Sequence, residues 1–514
     1  MAEWLNNAVF YEIYPQSFQD SNGDGIGDFK GIQSRLDYIK ELGCNAIWMN
    51  PCFDSPFMDA GYDVADYYQA APRYGTNEDL KELVDAIHDR GMKILLDLVP
   101  GHTSVKHPWF LESMKAEKNE FTDRYVWTDN VWLPPKGLNY LSGISDRDGN
   151  AIVNFFSGQP ALNYGFFKPE ESWQQSMDDE GPRKTLEAMM DVMRFWLDLG
   201  VDGFRVDMAG SLVKNDPDQE GTIALWQKVR AFLDAEYPEA VLISEWGEPD
   251  KSLKGGFHMD FLLHFGPSHY NDLFRCDHPY FSSEGKGGIK DFIDKYNENY
   301  NKTNGKGLIC IPSGNHDMDR LARRLNPEEQ KIAFDFLLTM PGAPFIYYGD
   351  EIGLRYVEGL TSKEGGFNRT GSRSPMQWNH EKNDGFSNAD AKDLYIKMDD
   401  ASDRPVASDQ IEDKNSIYHE VKRLIAFRQE HPALLANGSI EFLTDGYPLA
   451  YVRKATDGSE ALLVLINADA KAHEFTLPEG FWKQVYLNGK APEENGNEVT
   501  VAGQSAVVYQ LEQA

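Results

Sequence analysis

The chain has 514 residues and a formal net charge of -32, which repels phosphate backbones and anionic lipid and argues against nucleic-acid and membrane-surface partners while leaving a neutral substrate open. That length exceeds one ordinary core and suits a large catalytic unit with attachments, two or three domains in all. No apolar run of about 18 residues is present, which argues against a membrane-spanning helix.

The first residues, Met1-Ala2-Glu3-Trp4-Leu5-Asn6-Asn7, carry neither the basic region nor the apolar core of a secretory signal. Four cysteines, Cys44, Cys52, Cys276 and Cys310, lack metal-ligand spacing, and Cys44 and Cys310 sit in or beside apolar runs. Reduced, structural thiols are therefore expected, which fits a cytoplasmic enzyme.

Apolar runs at residues 9–14, 46–49, 94–99, 203–206, 241–244, 259–263, 308–311 and 344–348 predict eight strands. Helical patterns lie between most of them, as at residues 77–90, 185–199, 222–236 and 328–339. Eight strands alternating with helices predict a closed (β/α)8 barrel, the TIM-barrel class of α/β fold. Residues 103–176 break the rhythm, being rich in Trp, Pro, Asn and Gly without a long helix. After His431 the pattern becomes alternating, with runs at residues 450–453, 461–466, 481–487 and 499–511, and predicts a C-terminal antiparallel β-sandwich.

Polar groups gather at the C-terminal ends of the predicted barrel strands, where such barrels build their sites. In Gly203-Phe204-Arg205-Val206-Asp207 the period of two puts Arg205 and Asp207 on one face, where the cation favours the ionised carboxylate. The run ending at Ser244 delivers Glu245 beside Trp246, whose bulk would raise a carboxyl by desolvation. The other ends deliver Pro100-Gly101-His102 and Asn315-His316-Asp317. An ionised and a protonated carboxyl about 5 to 5.5 Å apart are what a retaining glycosidase requires. Nearby acids, Asp97, Asp202, Glu248, Asp350 and Glu351, read as structural groups that hold loops and cap helices.

Upstream, the segment Asp20-Ser21-Asn22-Gly23-Asp24-Gly25-Ile26-Gly27-Asp28 places oxygen donors at alternate positions, with glycines that let the loop curl around a hard cation. Gly31 stands where an EF-hand needs its twelfth-position Glu.

With residues 23–28, 97–102, 203–207, Glu245, 315–317 and 349–353 in order along the chain, the sequence resembles the α-amylase superfamily of retaining glycoside hydrolases. Gly61-Tyr62-Asp63-Val64-Ala65-Asp66-Tyr67 and Arg373-Ser374-Pro375-Met376-Gln377-Trp378 resemble its oligo-1,6-glucosidase and α-glucosidase branch most. The resemblance implies a barrel over residues 1–102 and 177–430, a domain B inserted after the third strand over 103–176, and the sandwich over 431–514. It implies Asp207 as nucleophile, Glu245 as general acid/base, and Asp317 as the carboxylate on the sugar's 2- and 3-hydroxyls. Arg205 accompanies the nucleophile, His102 and His316 would donate hydrogen bonds to that sugar, and Tyr62 would stack on it. Asp63 and Arg373 would bind the terminal hydroxyl and close the pocket to all but chain ends, with a plain salt bridge as the competing reading.

The loop resembles the branch's single Ca2+ site, with Asp20, Asn22, Asp24, the Ile26 carbonyl and Asp28 as ligands, against Mg2+ or an empty polar turn. The expected activity is that of an exo-α-glucosidase on short α-glucosides, in a monomer or homodimer. An α-glucosyltransferase on the same substrates, or an endo-acting α-amylase or neopullulanase, is the alternative. Gly101 departs from the family's Asn, a calcium ligand in typical α-amylases, so that second site is expected to be absent. Residues 159–164 and Met208 match neither the α-1,4 nor the α-1,6 pattern, which leaves linkage preference open.

Overall fold

A computed structural model describes residues 2–512 of the protein; Met1, and Gln513 and Ala514 at the end of the expected sandwich, lie outside them. The eight expected barrel strands form as β1 (Phe10–Ile13), β2 (Ala46–Met49), β3 (Lys93–Leu98), β4 (Gly203–Val206), β5 (Val241–Ser244), β6 (Met259–Phe261), β7 (Leu308–Cys310) and β8 (Phe345–Tyr347). They pair in parallel in the order β7-β6-β5-β4-β3-β2-β1-β8. The seam between β7 and β8 is held by the parallel bridge of Pro312 with Phe345, so the barrel is nearly closed. Continuous apolar runs are what such strands need, because helices cover the outside and side chains fill the inside. Phe10 stacks on Phe345 at 4.3 Å, and Phe261 meets Phe345 edge-on at 4.8 Å, in the barrel interior.

The expected helices start where capping chemistry allows. Asn77–His88 opens with Thr76 and Asp79 in a capping box, and Pro327–Thr339 with Asn326 and Glu329. Glu180–Leu199 begins earlier than its apolar stripe does, because its first turn is largely exposed. Gly203 opens β4 at φ 145, where an added Cβ would stand 2.1 Å from the Val241 carbonyl oxygen, so only glycine lets β4 lie against β5 here.

Between β3 and Glu180–Leu199 the chain holds one short helix, Pro108–Ser113, and a strand pair, Tyr140–Leu141 with Ala151–Ile152. Val126, Ile152, Ala161 and Phe166 give this segment a small apolar cluster of its own. The C-terminal part forms β9 (Ser439–Phe442), β10 (Leu449–Lys454), β11 (Ala461–Asn467), β12 (His473–Thr476), β13 (Phe481–Asn488), β14 (Glu493–Asn495), β15 (Glu498–Val501) and β16 (Ser505–Glu512). These make an antiparallel five-stranded sheet, β9-β10-β11-β16-β13, and a three-stranded one, β12-β15-β14. Ala450, Val452, Leu463 and Val507 of the first meet Val499 and Val501 of the second in the sandwich core. The run expected over 499–511 is two strands, broken at Gln504, whose φ of 52 turns the chain.

Where helix Pro327–Thr339 meets helix Ile417–Glu430 and β13, two acids are buried together. Asp335 accepts from Asn488 at 2.7 Å, and Glu420 accepts from Tyr486 and from Arg423. Burial, and then the facing Glu420 carboxylate, push the Asp335 carboxyl well above its ordinary value.

Candidate active site

Arg205, 1% exposed inside the barrel, is the centre of the site. Its Nη1 donates to Asp97 at 3.0 Å and to Asp207 at 3.2 Å, and its Nη2 lies 3.0 Å from Glu245. Strand geometry brings these groups together. Asp207 continues β4, its N–H donating to the Leu98 carbonyl of β3, and Glu245 continues β5, its N–H donating to the Val206 carbonyl of β4. Met208 follows in the left-handed region at φ 44, which turns its N–H to within 3.1 Å of Glu245 Oε2. Asp97 also accepts from Trp48 and the Tyr62 hydroxyl, so it acts as a support, as expected.

The Asp207 and Glu245 carboxyls lie close enough to hydrogen-bond each other. Inverting enzymes need roughly 6.5 to 9.5 Å between such groups to admit a water, so this closeness suits double displacement. Arg205 favours the ionised form of Asp207, as expected, but does not by itself decide its charge. Burial, followed by the Glu245 carboxylate, pushes Asp207 well above its ordinary value, and Arg205 opposes this only in part. One guanidinium is shared among three carboxyls, so it offsets only part of the repulsion around Asp207.

Both carboxyls line a cavity of about 500 Å³ together with Asp59, Tyr62, His102, Asp317 and Arg369. Asp317 is held by Arg369 at 2.6 Å, Arg373 at 3.0 Å and His316 Nε2 at 3.2 Å. Burial alone would raise it, but the His316 imidazole and the two guanidiniums outweigh burial and hold Asp317 well below the usual carboxylate range. Tyr62 lies in the cavity wall, stacked on the His316 ring at 5.4 Å. His102 Nε2 meets the Tyr62 carbonyl at 3.1 Å, and its Nδ1 meets the Asn154 amide at 3.1 Å. A carbonyl only accepts, so Nε2 carries the hydrogen of a neutral ring, and burial lowers His102 to about 4. His316 is fully enclosed, and its ring nitrogens face protein groups. Both rings are thus engaged by protein groups, with His102 in the cavity wall, and their expected donation to a sugar stands as a proposal.

The expected closure by Asp63 and Arg373 is also corrected. Asp63 accepts from the Met58 and Asp59 amides and from Ser55, and so holds the loop beneath the cavity. Arg373 donates to the His316 carbonyl and to Asp317 from behind. The acid and base that do line the cavity are Asp59 and Arg369, 3.7 Å apart. Gln159 donates to Asp59 at 2.8 Å from the inserted segment. Burial raises Asp59 to about 6 against the pull of Gln159 and Arg369. Asp59 stands four residues before Asp63 in one loop, and sequence alone gives no sign of which carboxylate faces the cavity.

Other contributors lay outside the motifs. Asp260 on β6 accepts from Ser244 and from the Trp246 and Gly247 amides, fixing the turn after Glu245. Asn154 also accepts from Lys214 at 3.0 Å, and Lys214 donates to the Ser211 carbonyl at 2.9 Å, which ties the inserted segment to the loop after β4. A Cβ on Gly101 would come within 2.7 Å of the Asn154 amide nitrogen, so the departure at Gly101 makes room for this tie.

In the loop at residues 20–28 the side-chain oxygens are turned on the loop itself. Asp20 accepts from the amides of Asn22, Gly23 and Gly25, Asn22 from Asp24, Asp24 from Ile26, and Asp28 from Ser21 and Gly31. Such bonds leave lone pairs on hard oxygens, the donor chemistry that Ca2+ takes. Among the described residues, however, no group of three or more His, Cys, Asp or Glu side chains is placed to hold a metal.

The family description "Alpha amylase, catalytic domain" matches residues 12–438. An oligo-1,6-glucosidase from Parageobacillus thermoglucosidasius is 32% identical over 93% of this chain and 92% of its own. The trehalose synthase/amylase TreS of Mycolicibacterium smegmatis is 32% identical over 88% of this chain and 81% of its own. Among solved structures, the trehalulose synthase MutB from Pseudomonas mesoacidophila MX-45 superposes with a TM-score of 0.79 at 27% identity, covering 100% of both chains. The chain is a glycoside hydrolase that belongs to the α-amylase family, in the branch that holds the oligo-1,6-glucosidases.

Proposed function

We propose that the protein is a retaining exo-α-glucosidase that removes glucose from the non-reducing ends of short malto- or isomalto-oligosaccharides, through α-1,4 or α-1,6 bonds or both. The observation that carries this reading is the Asp59–Arg369 pair in the lining of the cavity that also holds Asp207, Glu245 and Asp317. A terminal glucose fits against that pair, and a chain running through it does not. Glu245 gives its proton to the glycosidic oxygen as Asp207 forms a bond to the anomeric carbon, and the remaining sugar leaves. Water then attacks that carbon, Glu245 takes the water's proton, and the Asp207 ester breaks, so the released glucose keeps the α configuration. Asp317 accepts from the 2- and 3-hydroxyls, a grip that strengthens as the ring flattens.

The test is a time course on maltotriose, isomaltose, sucrose and soluble starch, with the anomer of the first product read by NMR. Early α-glucose from short substrates with starch nearly untouched supports the reading. Early mixed maltodextrins from starch would make it an endo-amylase, and β-glucose would remove double displacement.

Transfer of the glucosyl unit to a sugar instead of water is the second reading, favoured by the likeness to MutB and TreS. Products longer than the substrate at high maltose would establish it. We further propose the domain limits 1–102 with 177–430, 103–176 and 431–514. A Ca2+ at Asp20, Asn22, Asp24, the Ile26 carbonyl and Asp28 is supported by donor chemistry. A cytoplasmic location is supported by four unpaired cysteines.

A further inference from the structure

Glu12 has no part in the chemistry above, yet it is a charged side chain at 0% exposure inside β1. Its Oε1 lies 3.1 Å from the Asn50 amide and 3.1 Å from His316 Nδ1, and its Oε2 has no partner. Across the same ring, His316 Nε2 lies 3.2 Å from Asp317 Oδ2 and 2.8 Å from the Tyr62 hydroxyl. The Tyr62 hydrogen is directed to Asp97, so that hydroxyl oxygen can only accept from His316. Every oxygen around the imidazole is then an acceptor, a carboxylate standing at each nitrogen. The Asn50 amide also lies 3.1 Å from Nδ1, but a neutral ring that accepts from it turns the same lone pair toward the Glu12 oxygen, so with Glu12 ionised the ring with both N–H groups is the one that serves both carboxylates.

We propose that Glu12 is a positioning residue: it keeps both N–H donors of His316 in place, so that the ring holds Asp317 in the orientation that grips the sugar. The inference rests on the role of Asp317 proposed above. Burial raises the Glu12 carboxyl, while the His316 ring and then the Asn50 amide oppose this by favouring its ionised form. Burial would lower His316, but Asp317 and Glu12 overcome this and push it up to about 9. The other titratable or charged groups facing the pair are Asp97, Arg205, Arg373, Tyr14, Tyr62, His264 and Tyr347. Among them, Arg205 and Arg373 are committed to carboxylates, so neither replaces His316 as a partner of Glu12.

The test compares wild type with Glu12→Gln, which keeps shape and removes charge. The readouts are the histidine ring titration by NMR on isotope-labelled protein, kcat/KM for p-nitrophenyl α-glucoside across pH, and Tm. The expected result is a wild-type His316 carrying both protons at neutral pH and losing one near 9. In Glu12→Gln the ring should titrate about two units lower, and kcat/KM should fall roughly tenfold at pH 8 but little at about pH 5.5, with Tm held. A structural role alone would lower Tm and leave the shape of the pH profile unmoved. A neutral wild-type ring at pH 7 would overturn the proposal even if the variant does not fold. So would a shifted ring titration with an unshifted rate profile. If wild type turns over no α-glucoside, the functional reading fails, while the ring titration still decides the protonation on which this inference stands.

Discussion

Arg205 and Glu245 come from neighbouring strands and meet at 3.0 Å, the guanidinium buried and the carboxyl in the cavity wall. The same guanidinium serves Asp97 and Asp207, so among the described residues it is the only cation within ion-pair distance of these three carboxyl groups. Arg205→Ala should destabilise the fold by ~3–5 kcal/mol, the cost of leaving buried carboxylates without a cation. Activity should fall by roughly a thousandfold or more, because nothing then orients the nucleophile. Thermal unfolding and initial rates on p-nitrophenyl α-glucoside check both figures. Asp207→Asn should behave oppositely in stability, holding or raising Tm while abolishing turnover, since it removes one of three crowded acids.

Asp59 and Arg369 are expected to set chain-end selectivity. Arg369→Ala and Asp59→Ala should each lower kcat/KM on maltotriose by about a hundredfold, mostly through KM, the cost of unmatched polar groups around a terminal sugar. Asp63→Asn should lower Tm by loosening the loop from 55 to 63 but keep the ratio of glucose to longer products. If instead Asp63→Asn opened the enzyme to starch and Asp59→Ala did not, the closing pair would have been misassigned.

The buried acid Asp335, which faces Glu420, gives stability a pH dependence. A carboxyl raised in the folded state holds a proton that the unfolded chain releases above the ordinary value of 3.8. Its stabilising effect is therefore complete below that value and lost as pH rises toward the raised one. Asp335→Asn should increase Tm at pH 8 by a few degrees, about 1 kcal/mol or more, and change it little at pH 4. Differential scanning calorimetry at the two pH values decides it.

For the loop at residues 20–28, equilibrium dialysis should find one Ca2+ per chain, and Asp24→Ala should lose it. The loop does not line the cavity, so kcat should be unchanged at temperatures well below Tm. No retained Ca2+ in wild type would leave the loop closed by its own amides alone.

The barrel was legible because its strands are continuous apolar runs and its helices carry capping residues such as Thr76 and Asn326. The short edge strands Ser439–Phe442, His473–Thr476 and Glu493–Asn495 were not, because they are partly or wholly exposed and carry charges that read as loop. In the site, Arg205, Asp207, Glu245 and Asp317 follow from motifs at strand ends. Asp59, Arg369, Glu12 and Asn154 do not, since their roles depend on the path of loops between strands. The histidines show a further limit. A motif fixes where His102 and His316 stand, but only the surrounding acceptors fix which nitrogen carries a proton and where it points.

The tie from Lys214 to Asn154 and Ser211 also bears on how the enzyme endures changes in its medium. An ammonium group carried on the chain joins the inserted segment to the barrel beside Gly101. Unlike a dissolved ion it cannot be diluted away or stripped by a chelator. That tie therefore needs no dissolved metal ion, and because burial lowers the Lys214 ammonium to about 8, pH is what it answers to instead.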